Sequence, residues 1–190
     1  MITRCHWCGD DSLYVAYHDQ EWGVPVKDDP TLFEFLLLEG AQAGLSWITV
    51  LRKRKGYEAL FDGFDAEKIA RYTDRKLDRI LTDSRIIRNR LKVYGARKNA
   101  RAFLAVQEAY GSFSEYIWGF VDGKPIQNEW KSVSDVPATS ETSDQLSKDM
   151  KKRGFTFVGS TIMYAHMQAT GMVNDHTTDC FRHSECRKLA

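Results

Sequence analysis

No apolar run in the 190-residue sequence approaches the roughly 20 residues that a bilayer span requires, so a membrane-crossing helix is excluded. The opening residues, Met1 to Trp7, lack the apolar stretch of a secretory leader, and the expected location is the cytosol. Net charge is nearly absent at +1, so overall electrostatics announce no nucleic-acid partner. Strand-like alternation is also missing, and no internal repeat or low-complexity tail appears. Cysteine is absent from the whole middle of the chain: Cys5 and Cys8 stand near one end, Cys180 and Cys186 near the other. Disulfides poorly explain such a pattern in a cytosolic protein, and unlinked core thiols would be scattered. Acidic residues are missing from Arg85 to Arg101, a stretch with seven basic ones. Charge alone leaves two readings of that run, a solvated helix face or a surface that meets phosphates.

What is present reads as helix nearly throughout. Its hydrophobic fraction of 43% supports a sizeable core, and the length suits a single domain, 1–190, or two small lobes sharing one core. Asp29 and Pro30 predict a helix start ahead of the apolar run Leu32 to Leu38, with Gly40 and Gly44 interrupting it. Ser46, Asp65 and Thr73 predict further starts. Thr82 to Arg90 reads as a tight connection, followed by the longest helix, Arg88 to Tyr110. Capping boxes are predicted at Ser112 with Glu115 and at Thr142 with Gln145, the second helix stopping at Gly154. A further helix is expected over Ser160 to Gln168, closed by Gly171. Residues Asp122 to Ser140 read as loop, and the residues after Cys186 as frayed.

Two groups of residues carry chemistry. The first is a possible zinc set. Zinc favours four Cys and His ligands in a tetrahedron. His176 and Cys180 are spaced so that one helical turn would aim both at one point. Cys5 is a third ligand, and spacing leaves the fourth open between His18 and Cys8, the latter completing a CxxC. Four protein ligands close a site, so its role would be structural, joining the two ends. The second group is aromatic: Trp7, Tyr14, Tyr17, Trp22, Phe33, Phe35 and Trp47, with Glu39 following three leucines among them. Phe33 and Phe35 read as core. A buried carboxylate costs several kcal/mol unless it is hydrogen-bonded, and proteins keep one mainly where it has a task. Aromatic faces around a carboxylate suit a flat, electron-poor or cationic ring such as an alkylated purine.

The motifs Tyr17-His18-Asp19, Glu21-Trp22-Gly23, Leu38-Glu39-Gly40 and Gln42-Ala43-Gly44-Leu45-Ser46-Trp47 extend this reading. So do Lys152-Arg153-Gly154-Phe155, Phe157-Val158-Gly159 and Asn174-Asp175-His176. Through them the chain resembles the bacterial 3-methyladenine DNA glycosylase I family over nearly its whole length. The resemblance implies an all-α, two-lobed helix-hairpin-helix fold with one structural zinc ion (Zn2+) on Cys5, His18, His176 and Cys180. It implies a base pocket in which Glu39 and Tyr17 hydrogen-bond the base edge, Trp47 stacks on its face, and Trp7, Tyr14 and Trp22 complete the walls. Glu39 would act by recognition and electrostatic stabilisation, since a base alkylated at N3 is already a good leaving group. Gly44 and Leu45 would lie at the DNA interface near the gap left by the flipped nucleotide. The hairpin would be Thr82 to Arg90, with Arg85 and Arg88 on phosphates; unusually, it contains no glycine. The expected partner is double-stranded alkylated DNA, bound by a monomer in the bacterial cytosol, on the nucleoid when acting. The expected reaction is monofunctional hydrolysis of the N-glycosidic bond, with Asp122 and Asp135 given no role. Rival readings are a related glycosylase for 3-methylguanine or 7-methylguanine, a zinc-stapled DNA-binding module, and a zinc hydrolase.

Overall fold

The computed structural model describes residues 2–190. Among them the chain forms ten α-helices and one minimal parallel pair of two-residue strands. The helices are α1 (Ser12–Gln20), α2 (Asp29–Gln42), α3 (Trp47–Leu60), α4 (Ala66–Ala70) and α5 (Asp74–Ile80), then α6 (Arg90–Tyr110), α7 (Phe113–Trp118), α8 (Glu141–Lys152), α9 (Ser160–Ala169) and α10 (Phe181–Lys188). The strands, β1 (Ile126–Gln127) and β2 (Val173–Asn174), pair Ile126 with Val173 and Gln127 with Asn174. No helix among the described residues is long and apolar enough to cross a membrane.

Helix α2 is the central element. Leu32, Phe33, Phe35, Leu36 and Leu38 are all buried, so it is apolar all round and must be enclosed by neighbours. It packs against α3, α6, α7 and α9. Its start differs from expectation by one residue. Asp28 is the N-cap and accepts from the Thr31 N–H, while Asp29 turns away to accept from the N–H groups of Phe113 and Ser114 at the start of α7. One acidic pair therefore caps two helices. Gly40, expected as an interruption, lies inside α2; its missing side chain admits Phe157, whose Cβ would be 3.3 Å from a Gly40 Cβ. The real break is at Gly44, which has φ +80°.

Other ends fall as the capping chemistry requires. Asp65 and Thr73 cap α4 and α5 through the N–H groups of Lys68 and Lys76. Ser46 precedes α3, but its hydroxyl meets that of Thr49 rather than a backbone N–H. Asn89 caps α6, so that helix begins at Arg90, two residues later than expected. Ser112 caps α7, without the reciprocal bond from Glu115 that a full box needs. The box on α8 is Ser140 with Ser143, because Thr142 and Gln145 are already inside the helix. Residues beyond Cys186 are not frayed at once; α10 continues to Lys188.

The connection between α5 and α6 is clamped from α3. Lys53 Nζ donates to the Ser84 carbonyl at 2.6 Å, and the Tyr57 hydroxyl accepts from the Ile87 N–H. Gly56 lies against the backbone of Arg85, and a Cβ there would come within 2.3 Å of the Arg85 carbonyl oxygen. The glycine that the 82–90 segment lacks is thus found in the facing helix, where it allows close approach. Gly56→Ala should cost about 1–3 kcal/mol of stability in urea unfolding, as overpacking against backbone does. It should also displace the 82–90 segment, visible as shifted amide resonances confined to residues around Ser84 to Ile87.

Candidate active site and metal centre

The two ends of the chain meet. Cys5, His18, His176 and Cys180 are all buried, and their ligating atoms lie within 4.8 Å of one another. Cys5 Sγ is 3.4 Å from His176 Nδ1, and Cys180 Sγ is 3.5 Å from His18 Nε2 and 3.6 Å from His176 Nδ1. A tetrahedron built with ordinary Zn–S and Zn–N bonds has S···N edges of about 3.6 Å, so the group has the dimensions of a coordination shell. The imidazoles are aimed from behind: His18 Nδ1 meets Asp19 Oδ1 at 2.7 Å, and His176 Nε2 meets the Trp22 carbonyl at 2.9 Å. Asp19 is itself held by a bidentate bond from Arg4, which keeps its carboxyl below the usual range. Such outer partners fix the ring orientation of a metal-binding histidine.

Cys8 is outside the group; its thiol donates to the Cys5 carbonyl at 3.3 Å. The CxxC alternative is therefore set aside by geometry. The helical turn expected to unite His176 and Cys180 is absent. His176 lies in an irregular segment, and Cys180 is the N-cap of α10, folded back by a turn in which the Cys180 N–H donates to the Thr177 carbonyl at 2.8 Å.

Beside this group opens a cavity of about 250 Å³, lined by Trp7, Tyr14, Tyr17, Trp22, Glu39 and Trp47 among others. Every aromatic expected in the pocket is there. Trp7 is the hub, 5.0 Å from Tyr14 and 4.9 Å from Trp22 between ring centroids; Tyr17 is 5.4 Å from Trp47. Phe33 and Phe35 are core residues, as expected. Glu39 is 4% exposed, and its Oε2 is buried with no hydrogen-bond partner. The indole N–H of Trp47 is likewise buried and unpartnered, so Trp47 offers a donor edge as well as a face. Burial alone pushes the Glu39 carboxyl up to about 8. The wall thus holds an acid that no protein group satisfies, the condition under which a ligand gains most by supplying the missing partner.

Sequence reasoning missed part of the wall. Val133 and Val136 come from the 122–140 loop, and Gln42, Gln168 and Asp175 also line the cavity. Asp175 is 2% exposed and accepts four hydrogen bonds, from Asn128, Trp130, Tyr164 and Gln168. It pins the loop to α9. The only sequence signal for this was its place beside His176.

The DNA-side candidates do not contribute to the cavity. Gly44 and Leu45 form the turn between α2 and α3, and Leu45 is 42% exposed although Gln42 and Trp47, close on either side, line the cavity. Arg85 and Arg88 are both exposed on the 82–90 connection. Arg85 is paired with Asp83 at 2.7 Å, whereas Arg88 forms no ion pair among the described residues. The rest of the basic run is largely committed: Arg90 to Asp78, Arg97 to Asp74, Lys92 and Arg101 to backbone carbonyls. Neither initial reading of the run covers it whole. Asp135, given no part in the chemistry, accepts from the Ser132 N–H at 3.0 Å and completes the capping box of the turn that Ser132 opens.

The chain matches the family model described as methyladenine glycosylase over residues 7–183. It is 49% identical over 180 residues to the DNA-3-methyladenine glycosylase of Haemophilus influenzae, covering 95% of this chain and 97% of that one. A crystal structure of a 3-methyladenine DNA glycosylase I superposes with a TM-score of 0.92 at 50% identity, over 94% of this chain and 98% of its own. The Staphylococcus aureus 3-methyladenine DNA glycosylase I, solved to show the structural basis of 3-methyladenine recognition, superposes with a TM-score of 0.91 at 38% identity, over 94% and 95%.

An acid whose folded-state carboxyl ionises near 8 rather than at its ordinary 4.5 weakens the fold only when charged. The penalty is absent in acid and grows as pH rises from about 4.5 to about 8. Glu39→Gln removes it. The stability of the variant relative to the unmodified protein should therefore rise by roughly 2–4 kcal/mol between pH 5 and pH 8, measured by urea unfolding without ligand. A difference that does not change with pH would place Glu39 in an ordinary aqueous setting.

Proposed function

The chain belongs to the methyladenine glycosylase family, and from that premise we infer that it is a DNA base-excision repair enzyme. It hydrolyses the N-glycosidic bond of 3-methyladenine in alkylated DNA. The observation that carries the reading is the unpartnered carboxyl of Glu39 in an aromatic cavity.

A purine stacked in a duplex cannot reach an enclosed cavity, so the nucleotide flips out first. The flipped base enters among Trp7, Tyr14, Trp22 and Trp47, whose faces attract a flat cationic ring. An adenine edge presents both a donor, its exocyclic amine, and acceptor nitrogens. Glu39 accepts from the amine, and the Tyr17 hydroxyl bonds the same edge. Glu39 is largely protonated while the cavity is empty and releases its proton to solvent as the cationic base arrives, because an adjacent positive charge favours the carboxylate. This makes the site selective for a charged base. It also explains why no strong general acid is required: the base carries the charge that makes it leave, and the carboxylate stabilises the positive charge left on the sugar. Water then attacks the anomeric carbon and loses its proton to solvent, which completes the hydrolysis. No lysine takes part, so the strand stays intact.

The buried Cys5, His18, His176 and Cys180 group would hold one zinc ion with purely structural effect, since four protein ligands leave it no open position. That excludes the zinc hydrolase as a reading of this group, and the buried acid has no task in a simple DNA-binding module. The α5–turn–α6 unit would serve as the helix-hairpin-helix between two helical lobes, with Arg85 exchanging Asp83 for a phosphate and Arg88 already free to meet one. The enzyme would act on double-stranded DNA as a monomer in the cytosol.

Incubation with methylated duplex DNA, followed by identification of the released base, tests the activity; release of 3-methyladenine is expected, and release of only another methylated purine would reassign the substrate. Glu39→Gln should lower excision and the affinity for free 3-methyladenine about tenfold each, the worth of a hydrogen bond to a charged acceptor. Near-complete loss of turnover with base binding preserved would make Glu39 an acid catalyst instead. Elemental analysis should find one zinc per chain; Cys180→Ser should lose the metal and much of the thermal stability, while Cys8→Ser keeps both.

A further inference from the structure

Lys92 lies within the basic run that suggested phosphate contacts, yet its ammonium points into the molecule. Nζ donates to the Ala41 carbonyl at 2.8 Å and to the Ala43 carbonyl at 2.6 Å. Ala41 is in the last turn of α2, where backbone carbonyls have no helical partner and a cation is favoured. Ala43 is the residue after the helix, just before the positive-φ turn at Gly44. Immediately beyond stands Leu45, a large apolar side chain that the fold leaves 42% exposed. Its N–H donates to the Gln42 carbonyl at 2.6 Å, so the turn is short and tightly closed. Gln42 and Trp47 line the cavity, which places Leu45 at its rim. Lys92 itself is on the first turn of α6, its N–H bonded to the Asn89 cap. That end of α6 follows directly from the 82–90 segment with the exposed Arg85 and Arg88.

We propose that Lys92 is a positioning residue for base extrusion, its bonds to Ala41 and Ala43 locking the turn that holds Leu45 at the cavity rim to the DNA-gripping end of α6. The proposal rests on the reading of the cavity as the site of a flipped base. A base leaving the stack opens a gap, and a rigidly held apolar side chain at the rim can fill it. The grip on the backbone and the apolar residue act together only if the distance between them is fixed. Two charge-assisted bonds from one half-buried ammonium fix it. A lysine already committed to two carbonyls is not a counterion for phosphate.

The test compares the unmodified enzyme with Lys92→Met, which keeps the aliphatic stem, and Lys92→Arg, which keeps a donor. Single-turnover excision of 3-methyladenine from a duplex should fall about tenfold to a hundredfold in Lys92→Met, the usual scale for misplacing a site by a fraction of its contacts. The loss should shrink when the lesion lies in a mismatch, where extrusion costs less. Affinity for free 3-methyladenine and the salt slope of binding to undamaged duplex should stay unchanged, and Lys92→Arg should recover part of the rate. A shallower salt slope in Lys92→Met would make Lys92 a phosphate contact and overturn the proposal. Unchanged duplex excision overturns it, and so does an equal loss in matched duplex, mismatch and free-base binding, which would mean general damage to the pocket. If the unmodified enzyme releases no methylated base, the reading of the cavity fails, and the inference with it.

Discussion

Glu39 is buried on the central helix with nothing in the protein to bond it, a state that costs free energy whenever the acid is charged. The surrounding fold is arranged to make that state possible and usable. Leu36, Leu37 and Leu38 anchor α2 in the core, so Glu39 cannot turn toward solvent without drawing the leucines out. The aromatic rings that share the cavity wall with it donate no hydrogen bond to it. An acid held this way is neutral at rest and charged in company, which suits a site meant to receive a cationic nucleobase.

The cavity and the Cys/His group are built from the same stretches of backbone. Trp7 follows Cys5 by two residues, Tyr17 immediately precedes His18, Trp22 supplies the carbonyl behind His176, and Asp175 precedes His176. For Cys5, His18 and His176, the stretch that brings the side chain to the Cys/His group also brings a wall residue to the cavity. Bringing the two ends together at these four side chains therefore also closes the aromatic box. Asp175 extends the arrangement to the 122–140 loop, which adds Val133 and Val136 to the cavity wall. The metal group needs no part in the chemistry to matter for it.

Much of this was legible in the residues. Asp, Ser and Thr caps located most helix starts to within a residue or two, because a cap is a local bond between near neighbours. The aromatic cluster, Glu39 and the four Cys and His residues are all legible in the sequence, with His18 preferred to Cys8 only through the family resemblance. What sequence could not give depends on distant partners. The Asp28–Asp29 pair divides its work because α7 starts nearby in space, and Gly56 on α3 is what lets the 82–90 segment pack closely against that helix. Cys180 reaches the metal group through a turn and not the helix its spacing suggested. The basic run looked uniform in sequence, but α5 supplies Asp78 and Asp74 to Arg90 and Arg97, and the end of α2 takes Lys92.

The protonation state of Glu39 is the most direct point of attack. Selective carbon-13 labelling of glutamate allows its side-chain carboxyl to be followed by NMR from pH 4 to pH 9, assigned by its loss in Glu39→Gln. In the empty protein this carboxyl should titrate near 8, and saturation with 3-methyladenine should move its midpoint downward, because donors supplied by the base favour the carboxylate. A midpoint in the ordinary glutamate range that is indifferent to the base would contradict the account.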